Sequence, residues 1–199
     1  MSHPTDAAGP IANISTEDRV WLTRGAELHS PLARAAKLGL ANGLGYAIFG
    51  GLSLAFALLD WDMAGLIIGA VLLGIGLHER AQAKRLMQAD SAAPLGLARG
   101  ELALLCAITL YGLIGLTVMP EANNALEQQL ASAKVPGLDI QKINNTVQTI
   151  WYSTAIVIAL LYQGLMARYF LSRRSDLNRY LVEVPAWARE VVEAMATKS

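Results

Sequence analysis

At 199 residues, 54% hydrophobic and 16% charged, with a mean hydropathy of +0.38, the chain lacks the polar side chains that a water-facing surface requires. Its 16 basic and 16 acidic residues cancel. That excludes a broadly cationic nucleic-acid binder, and the high hydrophobicity excludes disorder, so an integral membrane protein remains.

Residues 1–13 are polar, with Pro4, Gly9 and Pro10, and read as a flexible tail. Met1 to Pro10 has neither a basic n-region nor an apolar h-region, so no cleaved signal peptide is expected. Thr16 is placed to cap a short helix reaching about Leu28, with Val20, Trp21 and Leu28 as interfacial contacts. Ser30-Pro31 then opens the first membrane helix, proline being well suited to the first helical position.

Four stretches without ionisable side chains follow: Leu38 to Leu59, Met63 to Leu77, Leu102 to Met119 and Ile143 to Ala167. A hydrocarbon layer about 30 Å thick takes about 20 apolar residues of helix, which the first, third and fourth supply. The second is short at 15 residues and spans if Trp61 and His78 sit in the interfaces. A re-entrant hairpin of the first two segments is the alternative. Asp60, Trp61 and Asp62 alone separate those segments, so they form a tight helical hairpin. Backbone groups must be paired in lipid, and no alternating barrel pattern competes.

The middle loop extends the second helix through His78 to Arg85, and Pro94 and Gly96 break the chain before the third span. Beyond that span lies an outer loop, 120–147, with a helix expected over Glu121 to Lys134 and a breaker at Pro136-Gly137. Asn144-Asn145-Thr146 matches a glycosylation sequon, which matters only in a glycosylating secretory pathway. The C-terminal tail carries Val184, Trp187, Ala188, Val191, Val192 and Met195 at helical spacing, with Arg189, Glu190 and Glu193 opposite. Acidic residues on that polar face favour docking on protein, either the chain's own cytoplasmic loop or a partner, through Val184, Trp187, Val191, Val192 and Met195. A helix lying in the lipid interface is the alternative.

Fourteen basic residues flank the inner ends of the spans, against Lys134 and Lys142 in the outer loop. The positive-inside rule places both termini and the middle loop in the cytoplasm. The predicted fold is all-α: an integral membrane four-helix bundle over 31–171, with spans about 36–59, 61–78, 100–119 and 148–171. A cytoplasmic N-terminal segment, 1–30, and an amphipathic C-terminal segment, 172–199, flank it.

Small residues recur every four positions in the first span, at Gly39, Gly43, Ala47, Gly51 and Ala55, with Gly65 and Gly69 in the second. Spans three and four offer Ala103, Ala107, Ala155 and Ala159. Such faces let helices approach closely in lipid, either within one chain or between copies. No charge lies deep in any span, which argues against a proton-coupled transporter. Asn42, His78, Glu79, Arg99, Glu101, Gln163 and Arg168 fall near the cytoplasmic leaflet, and Glu101 could pair with Arg168. They read either as a polar mouth for a small ligand or as interfacial charges snorkelling to headgroups.

No catalytic set emerges. Ser53, in Gly51-Leu52-Ser53-Leu54-Ala55, has no histidine at its depth, and His3, His29 and His78 make no metal spacing. Cys106 reads as a buried packing residue. No cofactor is implied.

Tyr162-Gln163-Gly164-Leu165-Met166-Ala167-Arg168-Tyr169-Phe170, then Arg173-Arg174, Tyr180-Leu181 and Glu183-Val184-Pro185-Ala186-Trp187, form a further pattern with the Ala93-Pro94 to Tyr111 stretch. Through them the second half of the chain resembles a group of small, uncharacterised four-span bacterial inner-membrane proteins. The resemblance implies the fold and brings no activity or site. The expected role is an accessory or scaffold subunit, with the lipid bilayer and a second copy or membrane protein as partners. A small permease or channel-forming subunit is the alternative, and an enzyme comes last.

Overall fold

Helix α1 (Thr16–Asp60) starts at a reciprocal cap. Ser15 Oγ accepts from the Asp18 N–H at 3.1 Å, and the Asp18 carboxylate accepts from the Ser15 N–H at 3.2 Å. The cap is Ser15 rather than Thr16, because three residues after Thr16 stands Arg19, which has no acceptor to return the bond. The computed structural model describes residues 15–117 and 140–198. The tail at 1–13 and the outer-loop helix expected over Glu121 to Lys134 lie outside them.

A break at Ser30-Pro31 does not occur: α1 is one helix of 45 residues, about 68 Å long, with Pro31 inside it. Proline removes one backbone donor, yet the turns on either side are held by packing. Leu32, Ala35 and Ala36 are fully buried, and His29 Nε2–H donates to the Met87 carbonyl at 3.1 Å.

Trp61 turns the chain in the left-handed conformation (φ 53°), and the Asp62 side chain caps α2 (Met63–Met87) by accepting from the Ala64 N–H. The next turn carries Ala89 at φ 52°, and Asp90 accepts there from Ala92 N–H and from Arg85. These bonds, the Ala92 amide first, hold the Asp90 carboxyl below the usual carboxylate range. Helix α3 spans Ala93–Thr117, so Pro94 opens the helix instead of breaking the chain before it. Gly96 lies within that first turn as a point of close approach, since a Cβ there would strike the Gln82 side chain.

Helix α4 (Ile140–Glu183) runs 44 residues without interruption at 171–172, and α5 (Ala186–Lys198) folds back after Pro185. The Pro185 carbonyl receives the Ala188 and Arg189 N–H groups. Among the described residues the protein is all-helical, and four of its helices are long and apolar enough to cross a membrane.

The helices pair as α1 with α2 and α3 with α4, and α5 lies on α1. This divides the bundle along its length. The head comprises the N-terminal half of α1, the α2–α3 turn, the C-terminal part of α4, and α5. It encloses a hydrophobic core in which Leu32, Leu86, Leu97, Phe170, Leu177 and Tyr180 are fully or almost fully buried. The stem, which holds the four charge-free stretches, directs Phe49, Phe56, Leu59 and Ile67 outward.

Stem contacts are made by glycine. A Cβ at Gly43 would lie 2.7 Å from the Gly76 carbonyl oxygen, and one at Gly50 would collide with the Leu73 backbone and the Gly69 carbonyl. Gly39 faces Leu97 and Ala83, Ala47 meets Gly76, Gly65 meets Asp62 and Ala57, and Gly69 meets Leu54. Gly51 has nothing within 4 Å and Ala55 is exposed, so the fourfold stripe is corrected at its far end. At 100° per residue, a four-residue repeat drifts 40° per step, reaching about 160° by Ala55. The face in contact passes through Gly39, Gly43, Gly50 and Ala57, all buried. On α3 the close approach uses Gly112 and Gly115 against Ile156 and Tyr152, whereas Ala103 is exposed.

Candidate functional site

At the boundary of head and stem, all four long helices contribute polar side chains to one level. Glu79 on α2 and Glu101 on α3 are both 0% exposed, and their carboxyl groups face each other. Glycine makes room for Glu79. A Cβ at Gly100 would stand 3.1 Å from Glu79 Cγ, and one at Gly43 would press on Arg80 of the same α2 turn.

From α1, Asn42 Nδ2 donates to Glu101 Oε1 at 3.2 Å, and the Tyr162 hydroxyl of α4 donates to Asn42 Oδ1 at 3.4 Å. Gln163 on α4, 4% exposed, donates from Nε2 to the Tyr46 hydroxyl at 3.4 Å, and that hydroxyl faces both glutamates. Among the described residues four buried oxygens have no partner in full hydrogen-bond geometry: both of Glu79, Oε2 of Glu101 and Oε1 of Gln163. The two carboxyls nonetheless lie close enough to share a proton, and the Tyr46 hydroxyl lies close to Glu101. None of the described ion pairs includes either glutamate. An ionised carboxylate in such a place needs a counter-charge, because desolvation there costs several kcal/mol.

Snorkelling to headgroups therefore fails as an account of Glu101, Glu79 and Gln163. It assigns them to the surface, and all three are buried. His78, Arg99 and Arg168 are exposed, so the cluster splits. His78 Nε2–H donates to the Gly96 carbonyl at 3.3 Å, and Glu101 takes Asn42 rather than Arg168 as partner. Tyr46 and Gly100 were not among the expected residues. Both carried a signal, Tyr46 by lying one turn from Asn42 on the same face, and Gly100 by preceding Glu101.

Elsewhere, Ser53 donates to the Gly65 carbonyl at 3.4 Å. Cys106 is exposed rather than buried, because α3 turns Glu101 and Leu104 inward and Cys106 sits about 200° from Leu104. Among the described residues no three His, Cys, Asp or Glu side chains converge as a metal set. A groove of about 270 Å³ between α2 and α3, lined by Ile67, Val71, Leu72, Ile108 and Ile114 among others, offers almost only apolar surface.

The C-terminal face divides as well. Val184, Ala188 and Val192 are buried, and a Cβ at Gly25 of α1 would sit 3.2 Å from Val192 Cγ2, so α5 docks on the chain's own N-terminal helix. Trp187, Val191 and Met195 remain exposed. Tyr180 anchors this end: its ring lies 5.3 Å from that of His29, its hydroxyl donates to the Arg189 carbonyl and to Glu193, and burial raises its pKa.

No family model matches the sequence, and no curated protein or solved structure matches it either.

Proposed function

We propose that this is a multi-pass protein of the bacterial inner membrane, with both termini in the cytoplasm, that binds and passes a small cation at the junction of head and stem. The observation that carries the reading is the facing pair Glu79 and Glu101, fully buried, without a basic partner among the described residues, and walled by all four long helices. Ionisable residues turned into a membrane bundle point to ion sites. This pair lies just outside the inner ends of the charge-free stretches, at the cytoplasmic side of the proposed spans, not deep within one. The fourteen-to-two asymmetry of basic residues supports the orientation, and the outward apolar side chains of the stem support the lipid placement. The resemblance to four-span inner-membrane proteins agrees with it. The role is non-catalytic in this reading.

A scaffold role is the second reading, favoured by the exposed Trp187, Val191 and Met195 on the head. Part of the glycine face, at Gly43 and Ala47, is occupied within the α1–α2 hairpin, which leaves Gly51 and Ala55 for contact between copies. Proteoliposomes carrying a pH-sensitive or a Mn²⁺-quenched dye separate the two. Under a proton or Mn²⁺ gradient the wild type is expected to pass one of them, and Glu79→Gln with Glu101→Gln to abolish the flux. Tight vesicles under both gradients would favour the scaffold. A reporter fused after Ser199 is expected to be active only in the cytoplasm.

A further inference from the structure

We propose that Glu79, Glu101, Gln163 and Tyr46 together bind one hard divalent cation of the Mg²⁺, Mn²⁺ or Ca²⁺ class. This deepens the reading above by naming the ion, and it rests on the same junction being the place where the protein acts.

The donor set selects the class. The acceptors at the junction, on Glu79, Glu101, Gln163 and Tyr46, are all oxygen, while the amide nitrogens of Asn42 and Gln163 face it as donors and the His78 ring nitrogen is engaged by the Gly96 carbonyl. Oxygen acceptors suit hard cations rather than zinc or copper. Two carboxylates match a charge of two; a monovalent ion leaves one negative charge buried without compensation. Gln163 is the independent sign of a ligand: it is 4% exposed, its amide nitrogen is spent on Tyr46, and its carbonyl oxygen has no donor. With Glu79 Oε1 and Oε2 and Glu101 Oε2, that makes four buried acceptors without partners in full hydrogen-bond geometry among the described residues. A single shared proton joins two oxygens and leaves the others unmet, whereas one cation can draw on all of them. Asn42 holds Glu101 Oε1 and is itself held by Tyr162, an arrangement that orients a ligating carboxylate from behind.

The test is Mn²⁺ binding by the full chain in detergent micelles, read from the loss of the free-ion electron paramagnetic resonance signal. The expected result is one Mn²⁺ per chain, displaced by Mg²⁺ or Ca²⁺. Glu79→Gln and Glu101→Gln, close in shape to the native residues, are expected to weaken binding at least about tenfold, and Gln163→Leu several-fold. The exposed Glu190→Gln should leave it unchanged. Wild-type protein that leaves the Mn²⁺ signal undiminished overturns the proposal without recourse to any variant. So does equal binding by the Glu79→Gln/Glu101→Gln double variant. Binding in micelles without flux in vesicles would sink the conduction reading and keep the site; proton flux without Mn²⁺ binding would do the reverse.

Discussion

Head and stem are built from the same helices by opposite rules. In the head, large side chains turn inward: Phe170, Leu97 and Tyr180 are 0% exposed. In the stem the axis is filled by Gly43, Gly50, Gly69 and Gly76, and the large residues face out, Phe56 at 64% and Leu59 at 77% exposure. Water drives apolar area together, so a water-facing bundle gains most by burying big residues. Lipid gives no such drive, and helices there associate through close van der Waals approach, which small residues permit. The contrast supports the proposed placement of the stem in lipid and of the head in water, and the acid pair lies where the two rules meet.

Paired substitutions can break this contrast. The largest effect is expected from Phe170→Ala, about 3–5 kcal/mol of stability lost by chemical unfolding in detergent. Phe56→Ala, on the outer surface of the stem, should stay within about 0.5 kcal/mol. Equal losses would mean that the stem buries its aromatics elsewhere. Next, Gly50→Leu forces a side chain into the Leu73 backbone and should cost about 3 kcal/mol or more, while Gly51→Leu meets open space and should cost little. A matching loss at Gly51 would point to a contact between copies.

Tyr180→Phe removes the hydroxyl that reaches Arg189 and Glu193, with an expected loss of about 0.5–1.5 kcal/mol and faster proteolysis of α5. The smallest effect concerns pH. Arg179, at 2.6 Å, and Arg24, at 3.0 Å, hold the Glu183 carboxyl below its ordinary range. A lowered folded-state pKa means that the contribution is complete above the ordinary carboxylate range and is lost as pH falls through the folded value. Protection of α5 from protease should therefore decline slightly in acid, and Glu183→Gln should remove that dependence. High salt should blunt it as well, since these groups are exposed.

The four apolar helices, the hairpin at Asp60 to Asp62 and the helical C-terminal tail were readable in the sequence, because charge gaps, capping residues and apolar spacing act locally. Three things escaped it for physical reasons. Pro31 reads as a start, yet burial of its neighbours outweighs one missing hydrogen bond. The fourfold small-residue stripe ignores the drift of a helix with 3.6 residues per turn, so Gly50 was passed over for Gly51. Glu79 and Glu101 sit just past the ends of charge-free stretches, where spacing gives depth but not direction. That Glu79 turns inward depends on Gly100 of the neighbouring α3, which is tertiary information.

The unbroken course of α1 has a mechanical consequence. From Asn42, about 39 Å of rod extends to Thr16 and about 27 Å to Asp60. A sideways push on the Thr16 end, pivoting at Asn42, would swing the Trp61 tip in the opposite direction through about 0.7 of the distance. The fulcrum of that lever is the residue that grips Glu101.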